Sequence, residues 1–210
     1  MPETDQVLKK DEHANREVQK KRIIVGISGA SGVIHGLRLL DVLKQLRVET
    51  HLILTPAAKV TIVAETDSSS DSVERFAIRS YRFSDISASI CSGSFPMDAM
   101  VIIPCSMHTL GALASGIADN LLVRAGEVTL KERRPLILVP RETPLTLIHM
   151  ENLLKVGRAG AIVVPAMPAF YQRPKELDDV IDHLVGKVLD LLGLEHNLFR
   201  RWTGLGQNGT

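Results

Sequence analysis

Cysteine is scarce in this chain: Cys91 and Cys105 are the only two in 210 residues. Two thiols are too few for a disulfide framework or a thiolate metal site, and a reducing cytoplasm is the expected setting. Charge of one sign is also lacking, since 25 basic residues face 24 acidic ones. No field of that kind recruits nucleic acid or an anionic membrane surface, so neither is an expected partner. No apolar run reaches the roughly 20 residues that a membrane helix needs. The seven histidines form neither His-x-His nor His-Glu-x-x-His, and nothing points to a metal. Residues 1–21 are polar, carry both signs of charge and lack the apolar stretch of a signal peptide. They read as a disordered leader or frayed helix before a single domain over residues 22–202, with 203–210 as a tail.

What the chain does have is a run of apolar residues that ends abruptly in glycine and serine: Ile23-Ile24-Val25-Gly26-Ile27-Ser28-Gly29-Ala30-Ser31-Gly32. A buried strand delivered into such a turn suits a phosphate at the amino terminus of the next helix, with the Ser28 and Ser31 hydroxyls as extra donors. A dinucleotide fingerprint wants an acidic residue at the end of the second strand. Here that strand ends in Thr55, whose hydroxyl fits a phosphate or a flavin edge better than a ribose diol, so a mononucleotide is favoured over NAD. An ordinary strand-to-helix turn without ligand is the plain alternative.

Further strand-like runs at Thr50–Leu54, Ala99–Ile103, Leu136–Val139 and Ala161–Val164 alternate with helical stretches near Val33–Leu46, Ala57–Glu65, from Thr109, and Leu145–Val156. This alternation predicts parallel βαβ units in an α/β three-layer sandwich, a doubly wound sheet of flavodoxin- or Rossmann-like type. Asp67–Ser72 reads as a polar loop. The apolar positions from Leu177 to Leu192 predict an amphipathic closing helix, most of them packed on their own domain. Ligands of such sheets sit beyond the carboxyl ends of the strands. Those ends carry Ser28–Gly32, Thr55, Pro104–Thr109, Arg141–Thr143 and Pro165–Tyr171.

At Pro104-Cys105-Ser106-Met107-His108-Thr109 a second strand-to-helix turn offers hydroxyls and free N–H groups to another part of the same ligand; Ser106 and Thr109 acting only as helix caps is the even alternative. Cys105 reads as a small buried thiol. Arg124 and Lys131 lie two helical turns apart and share a face if the helix is continuous, while Glu132, Arg133 and Arg134 read as a solvated charge run. A carboxylate at Glu142 among those cations suits a general acid or base, and an ion pair with Arg141 is the alternative. Pro165–Tyr171 concentrates stiff and aromatic residues in a chain with 4% aromatics, which suits the wall of an apolar pocket. Lys187 stands where it reaches a phosphate or simply snorkels at the surface.

Taken together, Gly26-Ile27-Ser28-Gly29-Ala30-Ser31-Gly32, Ala64-Glu65-Thr66-Asp67, Ser92-Gly93-Ser94, Pro104-Cys105-Ser106, Leu130-Lys131-Glu132-Arg133-Arg134-Pro135-Leu136, Val139-Pro140-Arg141-Glu142-Thr143-Pro144 and Pro168-Ala169-Phe170-Tyr171 resemble the UbiX-type flavin prenyltransferases, in order, from about Arg22 to Trp202. The resemblance implies a flavodoxin-like enzyme that joins a dimethylallyl group, from dimethylallyl phosphate, to N5 and C6 of reduced FMN without a metal. It implies that the prenylated FMN then serves a UbiD-type decarboxylase, including those of ubiquinone synthesis, and that the chain forms a homo-oligomer, commonly a dodecamer with sites at subunit contacts. By matching position, FMN contacts fall on Gly29, Ala30, Ser31, Thr55, Ser106, Met107, His108, Thr109 and Arg141. Contacts to the prenyl phosphate fall on Arg124, Lys131, Glu142, Tyr171 and Lys187, with Glu65 and Ser92 near the reacting centre. Catalytic roles are implied for Glu142, Lys131, Arg124, Glu65 and Ser31. Relatives often have Arg where this chain has Lys187, which keeps the charge and loses the bidentate fork. A flavin-dependent cysteine decarboxylase on the same fold is the nearest rival, set apart by a Pro-Ala-Ser-Ala-Asn-Thr motif that this chain replaces with Pro104–Thr109. A non-catalytic flavin-binding module is the other, and it has no use for gathered cations and a carboxylate.

Overall fold

A computed structural model describes residues 21–204. The expected leader, Lys21 excepted, and residues 205–210 of the tail lie outside the described residues. Alternating burial along each strand sorts the apolar side chains onto two sheet faces, and this is what fixes the layers. Ile23, Val25 and Ile27 of β1 (Arg22–Ile27) point to one face and Ile24 to the other. The same alternation runs through β4 (Ala99–Cys105) and β5 (Leu136–Pro140).

With β2 (Glu49–Leu54), β3 (Arg79–Tyr81) and β6 (Ile162–Val163), these strands form one parallel six-stranded sheet in the order β3-β2-β1-β4-β5-β6. Helices α1 (Val33–Gln45), α2 (Pro56–Glu65) and α7 (Leu177–Leu191) cover the first face. Helices α4 (Met107–Ser115), α5 (Leu121–Lys131) and α6 (Leu147–Arg158) contribute to the second. The predicted three-layer sandwich is the observed one. On α1, Leu39, Leu40 and Leu43 are fully buried, each worth about 1.5–3 kcal/mol of apolar transfer, and this stripe sets which side of α1 faces the sheet.

Two differences from the sequence reading have local causes. The expected loop Asp67–Ser72 instead runs into α3 (Ser70–Glu74), because Ser69 and Ser72 cap each other reciprocally. The strand β3 escapes the apolar pattern because only Tyr81 of its three residues is buried. From β1 the chain winds through β2 to β3, then returns across β1 to β4. The order therefore reverses between β1 and β4, and a crevice opens there beyond their carboxyl ends.

Candidate active site

The crevice is tied together by a residue that no ligand can reach. Ser28 is fully buried. Its N–H (3.2 Å) and its hydroxyl (2.8 Å) both donate to the Pro104 carbonyl, and its Oγ accepts from the Ser106 N–H at 2.7 Å. The expectation that Ser28 offers its hydroxyl to a phosphate is thus corrected: that hydroxyl joins the β1 and β4 turns.

Ser106 in turn caps α4, accepting from the Thr109 N–H at 3.3 Å and donating to the Thr109 hydroxyl at 3.1 Å. Thr55 caps α2 by accepting from Ala58 N–H at 3.0 Å. Thr55 and Thr109 are both buried; the Thr55 hydroxyl caps α2, and the Thr109 hydroxyl is bonded to the Ser106 cap at the start of α4. Early N–H groups of an α-helix have no partner within it, and those of Met107 and His108 open α4 beside the Ser106 cap. Two helix amino termini, of α2 and α4, therefore border one crevice and favour an anion there.

The amino terminus of α1 is different. Gly32 holds the left-handed conformation, φ 92°, that the turn demands and has no side chain to cap the helix. Glu65, at the end of α2, supplies the cap from a distance: its carboxylate accepts from Gly32 N–H at 2.8 Å and Val33 N–H at 3.2 Å. The expected phosphate position on α1 is thus taken by a carboxylate of the chain itself. Burial by itself raises the Glu65 carboxyl, but bonds from Ser31, Gly32 and Val33 and the charge of Arg141 outweigh it and hold the group below its ordinary value. Glu65, Ser31 and Arg141 thus meet at the crevice mouth, with Gly29 packed so tightly on α2 that a Cβ there would lie 2.2 Å from that of Ala57.

Next to Arg141 lies a pocket of about 280 Å³. Met107, Leu145, Leu153 and Pro165 give it apolar walls, and Glu142 stands at its polar side. Glu142 and Arg141 are exposed, and the Glu142 carboxylate accepts from the Thr143 N–H at 3.0 Å rather than pairing with Arg141. Cys105 is buried, which pushes its thiol up to about 12, and it is no nucleophile.

The cations lie elsewhere. Helix α5 is continuous, as the shared face of Arg124 and Lys131 requires. Lys131 pairs with Glu132, and its ammonium lies over Gly93 beside Ser92. Arg134 donates to the Gly93 and Phe95 carbonyls at 2.7 and 3.0 Å, so the run after Lys131 is not merely solvated, as expected, but clamps this loop. Lys131 precedes the first residue of β5 and Glu142 follows its last. At about 3.3 Å per residue, the five residues of β5 set them at opposite edges of the sheet. The expectation that Glu142 stands beside Lys131 does not hold within one chain; Arg124, in the first turn of α5, lies two helical turns before Lys131.

The flavoprotein family model matches residues 11–189. The flavin prenyltransferase UbiX of Methanothermobacter thermautotrophicus is 50% identical over 184 residues, 88% of this chain and 96% of that protein. The mitochondrial flavin prenyltransferase of Saccharomyces cerevisiae is 48% identical over 185 residues, 88% of this chain and 76% of its own length. The chain belongs to the UbiX-type flavin prenyltransferase family.

Among solved structures, AnUbiX in complex with FMN and dimethylallyl pyrophosphate superposes with a TM-score of 0.87 at 45% identity, covering 89% of this chain and 99% of that one. A dodecameric FMN-dependent UbiX-like decarboxylase from Escherichia coli O157:H7 gives 0.85 at 49%, over 87% and 100%. The peptidyl-cysteine decarboxylase EpiD gives 0.59 at 17% identity, over 82% and 98%, which is a likeness of fold alone.

The remaining residues that the flavin prenyltransferase resemblance singled out form a third group. Tyr171 and Lys187 are exposed, one in the segment after β6 and one on α7. Lys187 lies 3.6 Å from Asp190. The sequence reading missed the frame around them. Residues 196–202 fold back on α7: Arg201 makes two 2.6 Å bonds to Asp190, His196 a third at 3.1 Å, and Trp202 meets Tyr171 edge-on at 5.9 Å between ring centroids. The only advance sign of this is aromatic and charged residues clustering after the last helix. Among the described residues no group of three or more His, Cys, Asp or Glu is arranged to hold a metal, and no helix is long and apolar enough to cross a membrane.

Proposed function

We infer that this chain joins the dimethylallyl group of dimethylallyl phosphate to N5 and C6 of reduced FMN. The observation that carries this reading is the crevice itself: two helix amino termini at a strand-order reversal, opening onto an apolar pocket that ends in the exposed carboxylate Glu142. The donor set fits FMN. The first turns of α2 and α4, with Thr55 and Ser106–Thr109, suit its phosphate, while Met107 and the backbone of Gly29–Ser31 suit a flat apolar ring. Arg141 adds a cation at the mouth.

When bound, reduced FMN supplies the nucleophile that replaces phosphate on the allylic carbon. The chain's own part is electrostatic. As the carbon–oxygen bond breaks, its electron pair leaves with the phosphate, and Arg124, Lys131 and Lys187 stabilise that growing charge. Glu142 delivers a proton to the leaving phosphate or takes the one lost at C6. Ser92 and Tyr171 donate hydrogen bonds to the phosphate, and Glu65, held anionic beside Ser31, stabilises positive charge near the reacting centre. The apolar wall keeps water from the allylic cation.

Because one chain leaves Lys131 and Glu142 at opposite sheet edges, a second copy brings its Arg124 and Lys131 to the crevice. Two helices carry the apolar surface such an assembly needs: Val60 and Val63 on α2 and Leu147, Met150 and Leu154 on α6 are exposed. The dodecameric Escherichia coli relative supports a dodecamer here too. The two free cysteines suit a reducing cytoplasm, and the product passes to a UbiD-type decarboxylase.

Anaerobic incubation with reduced FMN and dimethylallyl phosphate, followed by mass measurement of the released flavin, tests the reading. One added C5 unit is expected; bound FMN that gains no mass overturns it.

A further inference from the structure

Tyr171 is held by two ring side chains. Its hydroxyl lies 3.0 Å from Nε2 of His183 on α7, with the two rings edge-on at 5.6 Å between centroids, and Trp202 also meets it edge-on, at 5.9 Å. His183 is itself held by Phe199, whose ring centre is 4.8 Å away. Phe199 reaches that position because α7 carries Gly186 there: a Cβ would lie 2.4 Å from the Phe199 ring. Lys187, one helical turn after His183, shares its face of α7.

The Tyr171–His183 contact admits two arrangements of protons. If Nε2 is the acceptor, the phenolic proton points at the imidazole and Tyr171 shows only lone pairs outward, which repel an anion. If Nε2 carries the hydrogen, it donates to the phenolic oxygen, and the phenolic proton is free to turn outward. Burial, with the Lys187 charge adding to it, lowers the His183 pKa, so at neutral pH the ring has one N–H to place. An anion drawn to Lys187 is stabilised only by the second arrangement.

We propose that His183 is a positioning residue for the substrate phosphate: its Nε2–H donates to the Tyr171 oxygen, turning the phenolic proton toward an anionic oxygen held by Lys187. The inference rests on the prenyl-phosphate reading of Tyr171 and Lys187 above. It adds a residue that touches neither flavin nor phosphate, and it accounts for the fold-back of residues 196–202 as the frame that fixes His183.

Steady-state kinetics of the full-length protein test it. His183→Phe keeps a ring against Phe199 and removes the hydrogen bond. It is expected to raise the KM for dimethylallyl phosphate about threefold to tenfold, the factor carried by one ordinary hydrogen bond, with kcat, FMN affinity and thermal unfolding unchanged. His183→Gln, which returns an N–H near the Nε2 position, restores the KM, whereas the shorter His183→Asn does not; this pair keeps the test sharp even if the Phe variant folds poorly. In a Tyr171→Phe background, His183→Phe adds nothing further. An unchanged KM in His183→Phe alongside a raised one in Tyr171→Phe overturns the inference. So does a loss of FMN affinity and melting temperature that Gln fails to rescue. A wild-type protein that binds FMN but never adds the C5 unit overturns instead the reading on which the inference rests.

Discussion

At the scale of single residues, Ser28 and Glu142 make opposite demands. Ser28 makes no contact with solvent, yet it links the turns that hold Gly29–Gly32 and Ser106–Thr109. In Ser28→Ala the Ser106 N–H loses its partner at the edge of the core, a cost of about 1–3 kcal/mol that urea unfolding reads directly, and FMN affinity falls as the α4 turn loosens. Glu142→Gln should do the reverse: unfolding and FMN affinity stay as they are, while turnover drops by about 10²–10⁴-fold, the range of general acid–base catalysis. Full turnover in that variant removes Glu142 from the chemistry. Much of this was legible beforehand, because strand ends followed by glycine, serine and proline locate the crevice from pattern alone. The role of Glu65 was not. Its carboxylate caps a helix 33 positions away in sequence, and no local periodicity encodes a contact made by the folded sheet.

At the scale of elements, the clearest unit is α7 with the segment that returns over it. The paired bonds from Arg201 hold the Asp190 carboxyl at about 2, against the effect of burial and with help from His196. Since the folded value lies below the ordinary 3.8, this anchor is fully present above that ordinary value and is lost as the pH falls through about 2. Trp202, the only tryptophan in the chain, sits on Tyr171 and reports the docking. Its emission should hold steady from neutrality to about pH 4 and change below, whereas Asp190→Asn should show the released spectrum already at pH 7. A wild-type transition near neutral pH would contradict this. The closing helix itself was plain in the sequence from its 3.6-residue stripe, with Ile181, Leu184, Val185, Val188 and Leu189 buried as expected. Leu177 was not, being 73% exposed. On α6, legible in the sequence only as a helix, Val156 alone is buried, and Leu147, Met150 and Leu154 are exposed. An apolar stripe states that a face will be covered, not by what.

At the scale of the whole molecule, the separation of Lys131 and Glu142 makes the assembly testable without imaging it. Lys131→Met and Glu142→Gln are each expected to lose prenyl transfer when expressed alone. Co-expressed, they should regain activity, because crevices that draw Glu142 from one variant and Lys131 from the other are intact, about a quarter of all crevices under random mixing of copies in a symmetric assembly. Recovery absent from a properly assembled mixture would place both residues in one chain's site. The separation was readable in principle from the sequence, since a strand lies between the two residues, but a shared motif region suggests closeness where a parallel sheet imposes distance.

The carboxylate that closes the amino terminus of α1 has one more consequence, for where the flavin phosphate can sit. In a dinucleotide fold the first βα turn receives the pyrophosphate; here a fixed negative charge already stands in that seat and stays ionised at neutral pH. A phosphate is thus turned away from α1 and left to the first turns of α2 and α4, so Glu65 decides which end of the flavin faces the Gly29–Ser31 turn. Glu65→Ala should reopen the α1 amino terminus to anions: inorganic phosphate should then raise the melting temperature of the variant more than that of the wild type, the native carboxylate acting as a built-in plug.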